Sequence, residues 1–299
     1  MELWSKKQLM NKSGEPNLFL VVATETSKAA YSEDGITWKT TTMPSSVERE
    51  IIGYGKGKFV SLQYGDREVS YSKDGVTWNT STAPYYLKHS GIVYGKGKFV
   101  VVAEDTTTVL YSTDGVTWKE ANMPTSATWE GVAYGNDRFV AIGYNSNKAA
   151  YSIDGVTWVQ STLPSTGYWC DITFGDGKFV AIEYADETIA YSTDGINWTK
   201  VTLPIMRNWR SITYGNGKFV AVANGANDGV YSVDGITWKT FTLPSQSPWY
   251  SVTYGKDKFV AVCGGYEASN VAAYSYDGIK WTKRTLPSSQ RWQDITYGG

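Results

Sequence analysis

Arg49, Arg210 and Arg291 stand close to Glu50, Glu130 and Asp171 in a chain that otherwise repeats itself. All six lie a few residues past a repeated Pro or Thr-Leu-Pro stretch, at the start of a β-rich run. Clustered arginines hold carboxylate groups, and paired carboxylates can divide acid and base roles in glycoside hydrolysis. The lone histidine, His89, falls in the same register, but no nucleophile–base pair is visible around it. Five copies of that register carry tryptophan instead: Trp129, Trp169, Trp209, Trp249 and Trp292. A tryptophan face at a protein rim suits the C–H face of a sugar, and Tyr64, Tyr144, Tyr184 and Tyr266 extend such a surface. The alternative is that these tryptophans pack against a neighbouring sheet. No cysteine or histidine spacing fits a metal, so neither metal nor cofactor is expected; Cys170 and Cys263 read as small buried hydrophobes.

These residues ride on a repeat. YSEDGITW starts at Tyr31, and near-copies start at Tyr71, Tyr111, Tyr151, Tyr191, Tyr231 and Tyr274. The spacing is 40 residues up to Tyr231, then 43. A period near 40 in a chain rich in Thr, Val, Tyr, Trp and Gly marks a β-propeller. One unit, Asn208 to Pro244, contains four strand-like pieces. The turns Asn216-Gly217 and Asp234-Gly235 make two hairpins of them, and we letter the strands A to D from the axis outward. Strand B carries Phe19, Phe59 and later equivalents, and strand D carries Trp38, Trp78 and later equivalents. Strand A is missing before Phe19, and its copy is WQDITYGG at Trp292 to Gly299.

The sequence therefore predicts an all-β, seven-bladed β-propeller of four-stranded antiparallel blades, closed when the C-terminal strand completes the first blade. Residues 1–16 form an N-terminal extension of unclear role, and 17–299 a single propeller. Blade 1 takes 17–44 plus 288–299; blades 2 to 7 take 45–84, 85–124, 125–164, 165–204, 205–244 and 245–287.

The repeated box resembles the Asp-box, or bacterial neuraminidase repeat, whose pattern is Ser-x-Asp-x-Gly-x-Thr-Trp. Here it reads Ser-x-Asp-Gly-x-Thr-Trp, one residue shorter. The resemblance implies a structural joint at the C–D turn, with Asp34, Asp74, Asp114, Asp154, Asp194, Asp234 and Asp277 accepting backbone N–H bonds. A sevenfold feature is not an active site, which in a ring is single. In the YGxGKF turn, Gly-x-Gly leads into a strand and not a helix, so it is a hairpin and no phosphate cradle; Lys58, Lys98, Lys178, Lys218 and Lys258 read as solvated. Sialidases carry an Arg-Ile-Pro motif that is absent here. The repeat also resembles propellers of phage tail and bacterial surface proteins.

Both repeated turns lie on one rim, so the variable B–C and D–A segments share the other, where binding is expected. The candidate ligand residues are the five tryptophans with Arg49, His89, Arg210, Tyr144 and Tyr184. The function expected is a non-catalytic, lectin-like or phage receptor-binding module for cell-surface carbohydrate. A protein-interaction scaffold, or an amplified or designed repeat without natural ligand, is the alternative; a sialidase-like hydrolase ranks third. The net charge of −1 offers no basic face for nucleic acid or membrane, and no stretch approaches about 18 apolar residues. The start has no secretory signal, which suits a monomeric propeller that is virion-associated or extracellular.

Overall fold

The computed structural model describes residues 14–47 and 50–299, so Arg49 and most of the N-terminal extension lie outside the described residues. Every regular element among them is a β-strand. The chain is an all-β fold of several sheets in the propeller manner. The C-terminal strand Trp292–Gly298 pairs antiparallel with Leu18–Ala23, setting Tyr297 opposite Phe19 and Ile295 opposite Val21. Thr26–Ser32 and Lys39–Val47 complete that sheet. The B strands are the most apolar stretches, and Leu18–Ala23 is buried along its whole length.

The innermost strands touch in turn. Trp292–Gly298 lies against Glu50–Gly55, followed by the inner ends of Trp78–Gly95 and Lys119–Gly135, then Trp169–Gly175, the inner end of Thr199–Gly215, and Trp249–Gly255, which again meets Trp292–Gly298. A close backbone approach recurs along this circuit. Gly135 sits so near the Phe174 ring of the following unit that a Cβ would overlap it, and Gly55 with Tyr94 and Gly215 with Tyr254 repeat the contact. Gly135→Ala is therefore expected to cost about 1–3 kcal/mol by overpacking, read as a lower urea midpoint at unchanged slope.

At the box turns, Asp34 Oδ1 accepts from the N–H groups of Ile36 (2.8 Å) and Thr37 (2.7 Å) and from Ser32 Oγ (2.9 Å). Asp114, Asp154 and Asp277 hold the same bonds. Partial burial works against these charges, but the N–H donors outweigh it, and Asp114 and Asp154 fall to about 2.

Two expectations change. The B–C and D–A segments are not free loops: they pair with each other as extensions of the ladder, Tyr184 opposite Asn208 and Asp186 opposite Arg207, with register shifts between. Outer and inner strands consequently run on as single strands in Trp78–Gly95, Lys119–Gly135 and Thr199–Gly215. Nor are the A–B turn lysines all solvated. Lys58 Nζ donates to Asp114 O (2.8 Å) and Lys98 Nζ to Asp154 O (2.7 Å), while Lys258 is buried. The box carbonyls of the following unit point at this turn and need a donor, so the ammonium groups clasp neighbouring units. Lys178 stays in its own turn, 3.1 Å from Asp176 Oδ2.

Candidate functional site

Alternation along a strand sends Trp209 into the core and Arg210 to the axis. The register adds a second cause. Trp209 faces Ala223 and Ser211 faces Val222, so Arg210 is an extra residue, a β-bulge. The same extra residue is Ser90, Glu130, Cys170 and Tyr250 in other units, and Gln293 in the C-terminal strand. A bulge interrupts the ladder and re-aims its side chain. Here it builds a ring of dissimilar side chains at the axial mouth from near-identical units.

That ring and the B–C segments enclose a cavity of about 680 Å³ at the variable rim, lined by Tyr64, Glu104, Tyr144, Tyr184 and Tyr266 together with Glu130, Arg210 and Tyr250. Volumes of this size hold small organic molecules. The Arg210 guanidinium carbon lies 4.4 Å from the Tyr184 ring centre and 5.2 Å from those of Tyr250 and Tyr266. None of the ion pairs among the described residues includes Arg210, and its Nε is buried without a hydrogen-bond partner there. Gln293 Nε2 donates to the Tyr250 hydroxyl at 3.2 Å, and Tyr64 donates to Glu104 at 3.0 Å. Burial, helped by Glu130, raises the Tyr144 phenol above its ordinary value, so it remains a proton donor at neutral pH.

Below the mouth runs an axial channel of about 270 Å³. Asp171 Oδ2 accepts from Ile212 N–H of the next unit (2.8 Å), and Asp294 Oδ2 from Ile52 N–H (3.1 Å). Ser211 and Ser251 make equivalent straps to Val252 and Ile295 at 3.3 Å. What accessible surface the two aspartates keep faces the channel. Burial pushes Asp171 to about 7 and Asp294 to about 6, against the opposing pull of their N–H donors. Asp171, a candidate acid from its position, is thus an inter-unit strap.

The structure gathers Arg210, Tyr144 and Tyr184 around one cavity, with Tyr64, Tyr266 and Glu130. Arg291 also lines it, paired to Glu25 at 2.6 Å. It does not place the five tryptophans there. Trp129, Trp169, Trp209, Trp249 and Trp292 are all 0% exposed, packed between sheets, so as ligand platforms they are corrected. Trp209 Nε1 donates to Asp186 O at 3.0 Å and Trp249 Nε1 to Ser245 O at 3.1 Å. His89 takes the tryptophan place in its unit, 1% exposed, its Nδ1 2.7 Å from Gln63 O, and offers no side chain to the mouth. Sequence reasoning missed Tyr250 and Glu104. Tyr250 was one residue beyond Trp249, and only the register shows that this next position is the bulge.

No protein-family model and no curated protein matches the chain. Solved structures do. Virginiamycin B lyase from Staphylococcus aureus superposes with a TM-score of 0.70 at 15% identity, covering 80% of this chain and 88% of that one. A catalytically inactive variant of that lyase, solved with quinupristin, gives 0.69 at 16% identity, over 78% of this chain and 83% of that one. A streptogramin B lyase gives 0.70 at 13% identity, over 85% and 93%. At these identities the likeness is one of fold: this chain is similar to the β-propeller-like fold of those lyases. It corrects the non-catalytic reading nonetheless. That reading rested on the missing Arg-Ile-Pro motif and on His89 without a nucleophile partner, yet the solved structures on which this chain superposes include lyases, so the scaffold is one on which catalysis occurs. The lectin-like, receptor-binding and scaffold expectations, and the glycan partner with them, are corrected on the same ground: the likeness found is to lyases.

Proposed function

We propose that the chain is a single seven-bladed ring with the blade limits given above, and that its axial mouth is the active site of an enzyme acting on a small organic molecule. The circuit of inner strands, the pairing of Trp292–Gly298 with Leu18–Ala23 and the Lys256 bond to Glu33 O across the termini support the ring. One observation carries the activity. The bulge ring puts an acid–base group, Glu130, and a fixed cation, Arg210, into one tyrosine-lined cavity, while the remaining bulges stay small or neutral.

The chemistry this suits is elimination at a carbon acidified by an adjacent carbonyl. The Glu130 carboxylate takes the C–H proton, and the freed electron pair forms a C=C bond. The C–O bond to the leaving group breaks, and a tyrosine hydroxyl such as Tyr144 protonates the departing oxygen. Arg210 stabilises the negative charge that builds on the carbonyl oxygen.

The test incubates the protein with quinupristin and a panel of small aromatic esters bearing a leaving group β to a carbonyl, followed by liquid chromatography and mass spectrometry. Elimination that opens a ring leaves the mass unchanged, whereas hydrolysis adds one water. Turnover is expected, falling about 10²–10⁴-fold in Glu130→Gln with the thermal midpoint retained. No turnover of any member, or wild-type turnover by Glu130→Gln, would overturn the assignment.

A further inference from the structure

We infer that the substrate of this mouth carries a carboxylate beside an aromatic ring, with the carboxylate seated on Arg210 as the carbonyl group that acidifies the neighbouring carbon; the inference rests on the active-site reading above. Arg210 is a cation brought half inside the protein. Three tyrosine rings surround its carbon at 4.4, 5.2 and 5.2 Å, and none of the ion pairs among the described residues includes it. Ring faces soften the cost of holding that charge away from water, and the Tyr266 side chain takes one hydrogen bond, yet a guanidinium offers five N–H donors. Its Nε lies buried without a partner among the described residues, a donor that an incoming oxygen would satisfy. A planar fork of N–H donors matches a planar pair of oxygens, which is why guanidinium selects carboxylate over a single-oxygen acceptor.

The aromatic half follows from the walls. Tyr64, Tyr144, Tyr184, Tyr250 and Tyr266 all line the cavity. Tyr250 and Tyr266 meet edge to face at 6.1 Å, and Tyr144 leans on Tyr168 at 5.2 Å, so the rings brace one another. Gly265 fixes part of this frame: a Cβ there would overlap the Tyr250 ring, and its φ of +74° already favours glycine. A flat ring entering such a frame finds edge and face contacts on several sides.

The probes are 3-phenylpropanoate, 3-phenylpropanamide and 3-cyclohexylpropanoate, titrated calorimetrically against the full chain. 3-Phenylpropanoate is expected to bind at least about tenfold more tightly than its amide, and more tightly than the cyclohexyl acid. Arg210→Gln is expected to remove the preference over the amide, and Arg210→Lys to restore only part of it. Equal binding of acid and amide, or no binding of any probe, overturns the inference even if the ester screen shows turnover. Carboxylate binding without turnover in that screen sinks the enzymatic reading and leaves the ligand class standing.

Discussion

Trp209→Ala is expected to lower the unfolding free energy by about 3–5 kcal/mol, the usual cost of emptying a buried tryptophan site. Trp209 is fully buried in one core cluster with Ile182, Ile189, Leu203 and Val230, so its side chain bridges two neighbouring units. Removing it leaves a void that strands pinned by ladder bonds on both sides cannot collapse to fill, and leaves Asp186 O without the indole donor. Trp209→Phe keeps most of the volume and is expected to lose less than half as much. Urea denaturation gives both values. A midpoint unmoved in Trp209→Ala would return the residue to the surface and restore it as a ligand contact.

The second large effect is that the protein gains stability as pH falls from about 8 to about 5. Asp171 and Glu183 titrate near 7 and Asp294 near 6 in the folded chain, raised chiefly by burial above the ordinary values of 3.8 and 4.5. Between the unfolded and folded values the native state binds more protons, so unfolding releases them and stability falls as pH rises. The contribution is fully present below the unfolded values and gone above about pH 7. Summed over the three, and allowing for water in the axial channel, it is on the order of 2–4 kcal/mol. The box aspartates act in the opposite sense at lower pH. Asp114 and Asp154, lowered to about 2, add stability above their unfolded value that is lost as pH falls through about 2. The optimum is therefore expected near pH 4–5. Thermal midpoints across pH 3–9 would reveal it, and Asp171→Asn with Glu183→Gln would flatten the limb between pH 5 and 8. A wild-type midpoint that climbs from pH 5 to 8 contradicts the burial of these groups.

How much was legible depended on whether a feature is local in sequence. The box announces its own geometry, because Ser32, Asp34 and Gly35 bond within three residues of one another. The strand content, the four-strand unit and the pairing of the C-terminal octet could be counted from copies of Phe, Trp and Tyr-Gly. The rim tryptophans misled because a repeated aromatic suits a platform and a packing joint equally, and burial alone separates them. The clasping of Lys58 onto Asp114 O joins residues 56 apart and leaves no trace in either local motif. The mouth was half visible. Arg210, Tyr144 and Tyr184 were chosen for lying on the variable rim, but the reason they converge is a bulge, which exists only in the register between two strands. The judgement on catalysis failed for a related reason: it weighed motifs read along the chain, whereas one extra ladder residue in most units diversifies the mouth.

Five intervals in this chain keep time and the sixth is late: the box at Tyr274 follows Tyr231 by 43 residues. The longer B–C segment of that unit carries Gly264, Gly265 and Tyr266; Gly264 bridges to Trp292, and Tyr266 reaches the Arg210 guanidinium. Units of one length are interchangeable, so an array grown by copying could swap most of its modules and remain the same solid. This module is not a spare part. Exchanging it for any sibling would leave the architecture standing and take the cap off the cation, which makes the irregular interval the place where a duplicated ornament became an individual molecule.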